Sequence, residues 1–161
     1  MVGSFANQFF YMMNPVSAEE DARYMRLAIA QAREAAAAGE IPIGAVVVCG
    51  GAVVATGHNM VEALSDPSAH AEMIALTAAC NAVGGKYLTD CTLYVTVEPC
   101  PMCAAALCWA QLGRLVYGAD DPKRGYSMFS PLLLHQRTAI TVGVLAQECS
   151  AIVKDFFSAR R

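Results

Sequence analysis

Two short stretches of this chain combine residue types that do chemistry. The first is His70-Ala71-Glu72 and the second is Pro99-Cys100-Pro101-Met102-Cys103. One imidazole and two thiols make a three-ligand set for Zn²⁺, one ion per subunit, with the fourth tetrahedral position left for water. A structural zinc site takes four protein ligands, so an open set is the catalytic pattern. Glu72, two residues from the metal-binding imidazole, is then the natural carrier of protons to and from that water.

The elements that must hold these residues can be read from the pattern around them. Ser17-Ala18-Glu19-Glu20 is a capping box, and Tyr24, Leu27, Ala28 and Ala35 recur at helical spacing until Gly39. Ile41 to Cys49 reads as a buried strand. Gly50-Gly51 is a two-residue hairpin turn, and Ala52 to Gly57 returns antiparallel. A polar loop from His58 to Ser68 leads into a helix from about Ala69 to Val83. Thr92 to Val97 is a strand rich in β-branched and aromatic residues, and a helix follows from about Cys100 to Leu112. Arg114 to Gly118 and Thr138 to Leu145 are further strands, and Ala146 to Ala159 is a last amphipathic helix. The order implies a three-layer α-β-α sandwich around a mixed five-stranded sheet.

Both halves of the motif therefore fall at helix starts. A helix N-terminus favours thiolate over thiol, and residues three apart, such as Cys100 and Cys103, share a helix face. His70 and Glu72 diverge in mid-helix and meet only if the helix begins at their position. Each fragment alone has a plainer reading. A Cys-x-x-Cys pair can be a thioredoxin-like redox couple or half of a closed zinc site, although the chain offers no second cysteine pair. The ordered combination, His-x-Glu then Pro-Cys-x-x-Cys, is specific.

That combination is the signature of zinc-dependent nucleobase deaminases. The segments Asp66 to Glu72 and Thr92 to Cys103 resemble the cytidine/deoxycytidylate deaminase superfamily, and within it the bacterial tRNA-specific adenosine deaminases. The likeness extends through Gly39 to Val48, Gly57-His58-Asn59, Leu115 to Ala119, Glu148-Cys149 and Asp155-Phe156-Phe157 to Arg160-Arg161. It implies the cytidine deaminase-like fold, and hydrolytic conversion of adenosine to inosine at the wobble position (34) of a tRNA anticodon loop. By position, His70, Cys100 and Cys103 hold zinc and Glu72 shuttles protons. Asn59 hydrogen-bonds the flipped base, Asp121 and Lys123 belong, with Arg124, to a substrate-facing loop, and Phe156 stacks an RNA base. Plainer roles stand beside these: a loop Asn bonded to its own backbone, a solvated charged turn, and helix core for at least one of Phe156 and Phe157. Cys-Pro-Met-Cys and Cys108-Trp109-Ala110 also resemble guanine deaminases, so a nucleobase or nucleoside deaminase is the first alternative. A non-catalytic, zinc-stabilised RNA-binding module is the second.

Composition bounds the rest. The 161 residues suit one domain, here residues 17–161, with residues 1–16 as an N-terminal extension, possible disorder included. A hydrophobic fraction of 56% against 16% charged is high for a soluble chain, although no apolar run reaches the length of a membrane span. Strands buried on both faces, together with a buried subunit interface, account for that excess, and the resemblance implies that the partner is a second copy in a homodimer. The net charge of −3 argues against non-specific binding to nucleic acid, leaving Lys123-Arg124, Lys154 and Arg160-Arg161 as local basic groups. An anticodon loop is read by pockets and stacking, for which a small basic rim suffices. The N-terminus lacks the basic start and cleavage site of a secretory signal. Seven cysteines, an odd number scattered through apolar segments, point to reduced thiols in a cytoplasmic protein.

Overall fold

A computed structural model describes residues 16–161. All but the last residue of the expected N-terminal extension, 1–16, lies outside that range. Helix α1 (Ala18–Ala37) begins where its capping signal stands, with the Ser17 hydroxyl accepting from the Glu20 N–H at 3.1 Å. Its buried residues Tyr24, Met25, Ala28, Ile29, Ala32 and Ala35 form the stripe that packs on the sheet.

Strands β1 (Gly44–Cys49) and β2 (Ala52–His58) form the expected hairpin, turning through Gly50 and Gly51 at φ 59° and 78°. A four-residue helix, α2 (Val61–Leu64), interrupts the loop that the sequence reads as simply polar. Helix α3 (Ala71–Val83), strand β3 (Cys91–Val97), helix α4 (Pro101–Trp109) and strand β4 (Arg114–Ala119) follow. Two short 3₁₀ turns, Tyr126–Met128 and Pro131–Leu133, precede strand β5 (Ala139–Val142) and helix α5 (Ala146–Ser158).

These strands form a mixed five-stranded sheet in the order β2-β1-β3-β4-β5. Strand β1 is antiparallel to both its neighbours, whereas β3, β4 and β5 run parallel. Strand alternation assigns side chains to two separate cores. Ala45, Val47, Leu93, Val95 and Leu115 face α3 and α4. Val46, Val48, Tyr94 and Val116 face α1 and α5. The central strands are thus apolar on both sides, which accounts for much of the chain's hydrophobic excess. Among the described residues, no helix is long and apolar enough to cross a membrane.

One close approach fixes the helix that carries half the motif. A Cβ at Gly57 would lie 2.7 Å from the Ala71 carbonyl oxygen and 2.8 Å from the Ala75 nitrogen. Only glycine in β2 lets the first turns of α3 settle this deeply on the sheet.

Two features depart from the sequence reading. Cys49 and Cys91 form a disulfide, so the expectation of seven reduced thiols is overturned. They are 42 positions apart in sequence, but the register of β1 against β3 makes them direct cross-strand partners with Cα atoms 4.5 Å apart. Beneath the α1 face, Asp21 and Arg114 form a buried ion pair at 2.7 and 2.8 Å. The Tyr94 hydroxyl donates to Asp21 at 2.7 Å, and Arg114 also donates to the Thr141 hydroxyl at 2.8 Å. Burial first, and the Asp21 carboxylate second, push the Tyr94 phenol well above its ordinary pKa.

Candidate active site

His70 and Cys100 occupy the N-cap positions of α3 and α4, both in extended backbone conformation. Pro101 takes the first helical position of α4, where its missing N–H costs nothing and its fixed φ starts the helix. Cys103 lies three residues beyond Cys100 and Glu72 two residues beyond His70, so all four side chains leave first turns. Neither cap makes a side-chain capping bond, which frees the imidazole and the thiol for other work.

The three ligand atoms converge. The His70 Nδ1 lies 3.5 Å from the Cys100 Sγ and 3.6 Å from the Cys103 Sγ, and all three atoms fall within 4.8 Å of one another. A tetrahedral zinc with Zn–N about 2.0 Å and Zn–S about 2.3 Å would hold nitrogen and sulfur roughly 3.5 Å apart. The donor set and its spacing fit that ion. A hydrogen bond to the Cys100 sulfur is the main reason the His70 pKa rises, with a smaller contribution from the Pro67 carbonyl. The two sulfurs are unequal. Hydrogen bonding from Cys103 and then His70 draws the Cys100 thiol down to about 4, and the Cys103 thiol is pushed up by its bond to Cys100 and by burial.

Glu72 is buried beside this cluster, and its Oε2 has no hydrogen-bond partner. Burial, reinforced by the charge at Cys100, pushes its carboxyl up to about 7. An orphaned, desolvated acceptor costs about 1–3 kcal/mol when neutral and more when charged, which is why burial favours the protonated acid here. A group with a pKa near neutrality can both accept and return a proton.

The remaining candidates differ in how they stand. Asn59 is buried at the end of the hairpin and spends its side chain locally. Its Nδ2 donates to the Ile41 carbonyl at 3.3 Å and its Oδ1 accepts from the Val61 N–H at 3.2 Å. Asp121 folds its own turn, accepting the Lys123 and Arg124 N–H groups at 3.0 Å each. Lys123 and Arg124 are exposed. Phe156 is only 8% exposed, with the Arg160 guanidinium 3.4 Å from its ring centre and Phe157 set edge-on. Its ring is therefore covered, in part by Phe157 of its own helix and Arg160 just beyond it.

Besides Asp21, two buried carboxylates escaped the sequence reading. Glu40 accepts the Glu62 and Ala63 N–H groups at 3.1 and 2.7 Å, tying α2 and the Asn59 loop to the end of α1. Glu98 ends β3 immediately before Pro99-Cys100 and is 5% exposed. A lone acid closing an apolar strand beside a ligand was the available signal for it.

The sequence profile of the MafB19-like deaminases matches residues 19–161. The chain belongs to that deaminase family. It is 42% identical over 143 residues to the tRNA-specific adenosine deaminase of Bacillus subtilis, a match covering 86% of this chain and 89% of the relative. A solved structure from studies of A-to-I editing by tRNA:A34 deaminases superposes with a TM-score of 0.75 at 42% identity, covering 81% of this deaminase and 98% of that chain. The guanine deaminase from Bacillus subtilis superposes less completely, with a TM-score of 0.58 at 43% identity, covering 61% of this chain and 63% of that one.

Proposed function

We propose that this deaminase hydrolyses adenosine to inosine at the wobble position of tRNA, with residues 17–161 as one zinc-dependent catalytic domain. The chemistry is carried by one observation: an unpartnered, buried Glu72 Oε2 beside three converging ligand atoms. The substrate follows from likeness along nearly the whole of the tRNA-specific adenosine deaminases.

In this reading His70 Nδ1, Cys100 Sγ and Cys103 Sγ hold the zinc. Bound there, zinc supplies Lewis-acid activation of a water nucleophile at neutral pH. Glu72 Oε2 takes a proton from the attacking water and delivers it to the purine ring nitrogen. It then takes the remaining proton of the added hydroxyl and delivers it to the exocyclic nitrogen, which leaves as ammonia as the C6–N bond breaks and the C6 carbonyl forms. Asn59, held rigid by its two backbone bonds, turns its remaining hydrogen-bonding capacity to the flipped base. Asp121 shapes the substrate-facing turn from which Lys123 and Arg124 meet the anticodon loop. Phe156 reaches a base only when Arg160 lifts off its ring.

In this reading the reaction is a cytoplasmic one, which action on tRNA supports. A homodimer accounts for the apolar side chains left open on one flank. Trp109 is 84% exposed, Met128 61%, Phe129 65% and Leu132 83%, and α4 packs against the turn that carries Leu132.

The test offers the zinc-loaded protein a tRNA with adenosine at the wobble position and, separately, free guanine and cytidine. Inosine in the tRNA is expected, with no turnover of the small molecules. Ammonia from guanine alone would replace this reading with the guanine deaminase one.

A further inference from the structure

Glu98 sits at a junction that the proposed chemistry does not use. Its Oε1 accepts from the Tyr117 hydroxyl at 3.3 Å and from the Ser127 hydroxyl, while its Oε2 accepts the Asp121 N–H at 3.3 Å. All three partners are donors, so an acceptor-only carboxylate satisfies every one of them and an amide would not. The chain after β4 closes tightly over this group. A Cβ at Gly125 would press on the Glu98 carboxylate and lie 2.6 Å from the Asp121 carbonyl oxygen, so a larger residue there would displace the carboxylate, the backbone or both. The Gly125 N–H turns back to the Asp121 carbonyl at 2.9 Å, and the Tyr126 N–H donates to the Pro99 carbonyl at 2.9 Å. Loop 120–127 is thus bonded at both ends to the two residues that precede Cys100.

We propose that Glu98 is a positioning residue that sets loop 120–127 at a fixed distance and angle from the metal-binding start of α4. The loop carries Asp121, Lys123 and Arg124, and the register of RNA over Glu72 then depends on Glu98. For its activity arm this inference rests on the proposed tRNA reading; for its structural arm it does not. Charge-assisted hydrogen bonds give Glu98 its hold, and cutting them frees the loop without removing a ligand.

Three measurements on the full chain test it: bound zinc per chain, kcat and KM on wobble-adenosine tRNA, and backbone hydrogen exchange. Glu98→Gln is expected to keep one zinc and a kcat within about threefold, with KM raised about tenfold or more. The Asp121 and Tyr126 amides should exchange faster by a similar factor. Ser127 is exposed, so Ser127→Ala folds without difficulty; it should shift KM and Asp121 exchange the same way by about two- to fivefold. A merely structural glutamate would lower the folded or zinc-loaded fraction and leave KM unchanged, which overturns the proposal. Wild-type KM and wild-type exchange in both variants overturn it too. If Glu98→Gln fails to fold, Ser127→Ala alone decides. If the unmodified protein leaves the tRNA untouched, the proposed function falls, and the exchange data still judge Glu98.

Discussion

Two buried polar clusters lie on opposite faces of the same sheet, and they are built on opposite terms. Asp21, Arg114, Tyr94 and Thr141 form a closed network beneath α1, with both carboxylate oxygens and the guanidinium met at 2.7 to 2.8 Å. Beneath α3 and α4, three ligand atoms point at one another and the adjacent Glu72 keeps an oxygen with no partner. A satisfied network fixes how α1 sits on β4, with both carboxylate oxygens and the guanidinium already partnered. An unsatisfied one costs stability and retains the capacity to bind an ion and move a proton. The sheet separates the two, so damage to each should have a different signature.

The largest separation is expected from Glu72→Ala. If Glu72 carries the protons as proposed, its loss should lower kcat by about 10³-fold or more while zinc stays stoichiometric, as measured by metal analysis alongside the tRNA assay. Activity within tenfold of wild type would remove Glu72 from its role. On the opposite face, Asp21→Ala strands the Arg114 charge without its carboxylate and should destabilise the protein by about 3–5 kcal/mol in denaturant titrations. The zinc-loaded, folded fraction should keep its wild-type kcat, and a loss of kcat there would mean that the two clusters communicate through the sheet.

The third expectation uses pH on protein stripped of metal with a chelator. The fold raises the Glu72 pKa from 4.5 to about 7, so the folded state favours the protonated acid. Stability from that proton is complete below pH 4.5 and is lost as pH rises through 7. Glu72→Gln carries no such loss. Its stability should therefore match wild type most closely below pH 4.5 and exceed it by about 3 kcal/mol above pH 7. A difference independent of pH would show that Glu72 is solvated rather than buried.

How legible each cluster is in the sequence follows the same division. The candidate ligands His70, Cys100 and Cys103 stand out in the sequence because His-x-Glu and Cys-x-x-Cys are short local spacings, each placed at a helix start. The α-β-α layering was readable because Val46 and Val47, or Leu93 and Tyr94, supply both faces of one strand. Asp21 and Arg114 are 93 positions apart and meet only through the stacking of α1 on β4. The Cys49–Cys91 bond likewise depends on strand register. Phe156 and Phe157 look alike in sequence, and only the rotation of α5 decides which ring is covered. Glu40 and Glu98 were hidden because their partners are backbone amides and hydroxyls between 19 and 29 positions away, brought together only by the fold.

The disulfide also divides the chain mechanically. Cys49 and Cys91 enclose β2, α2 and α3, so His70 and Glu72 lie inside a covalent loop while Cys100 and Cys103 lie outside it. Pulled from its ends, the oxidised chain should fall short of its full contour length by about 140 Å, the extended length of the enclosed segment. Reduction should release that length in one additional step. With zinc bound, His70 remains tethered to the outer segment through the ion, so the force at which the loop parts from α4 would report the strength of the metal bond itself.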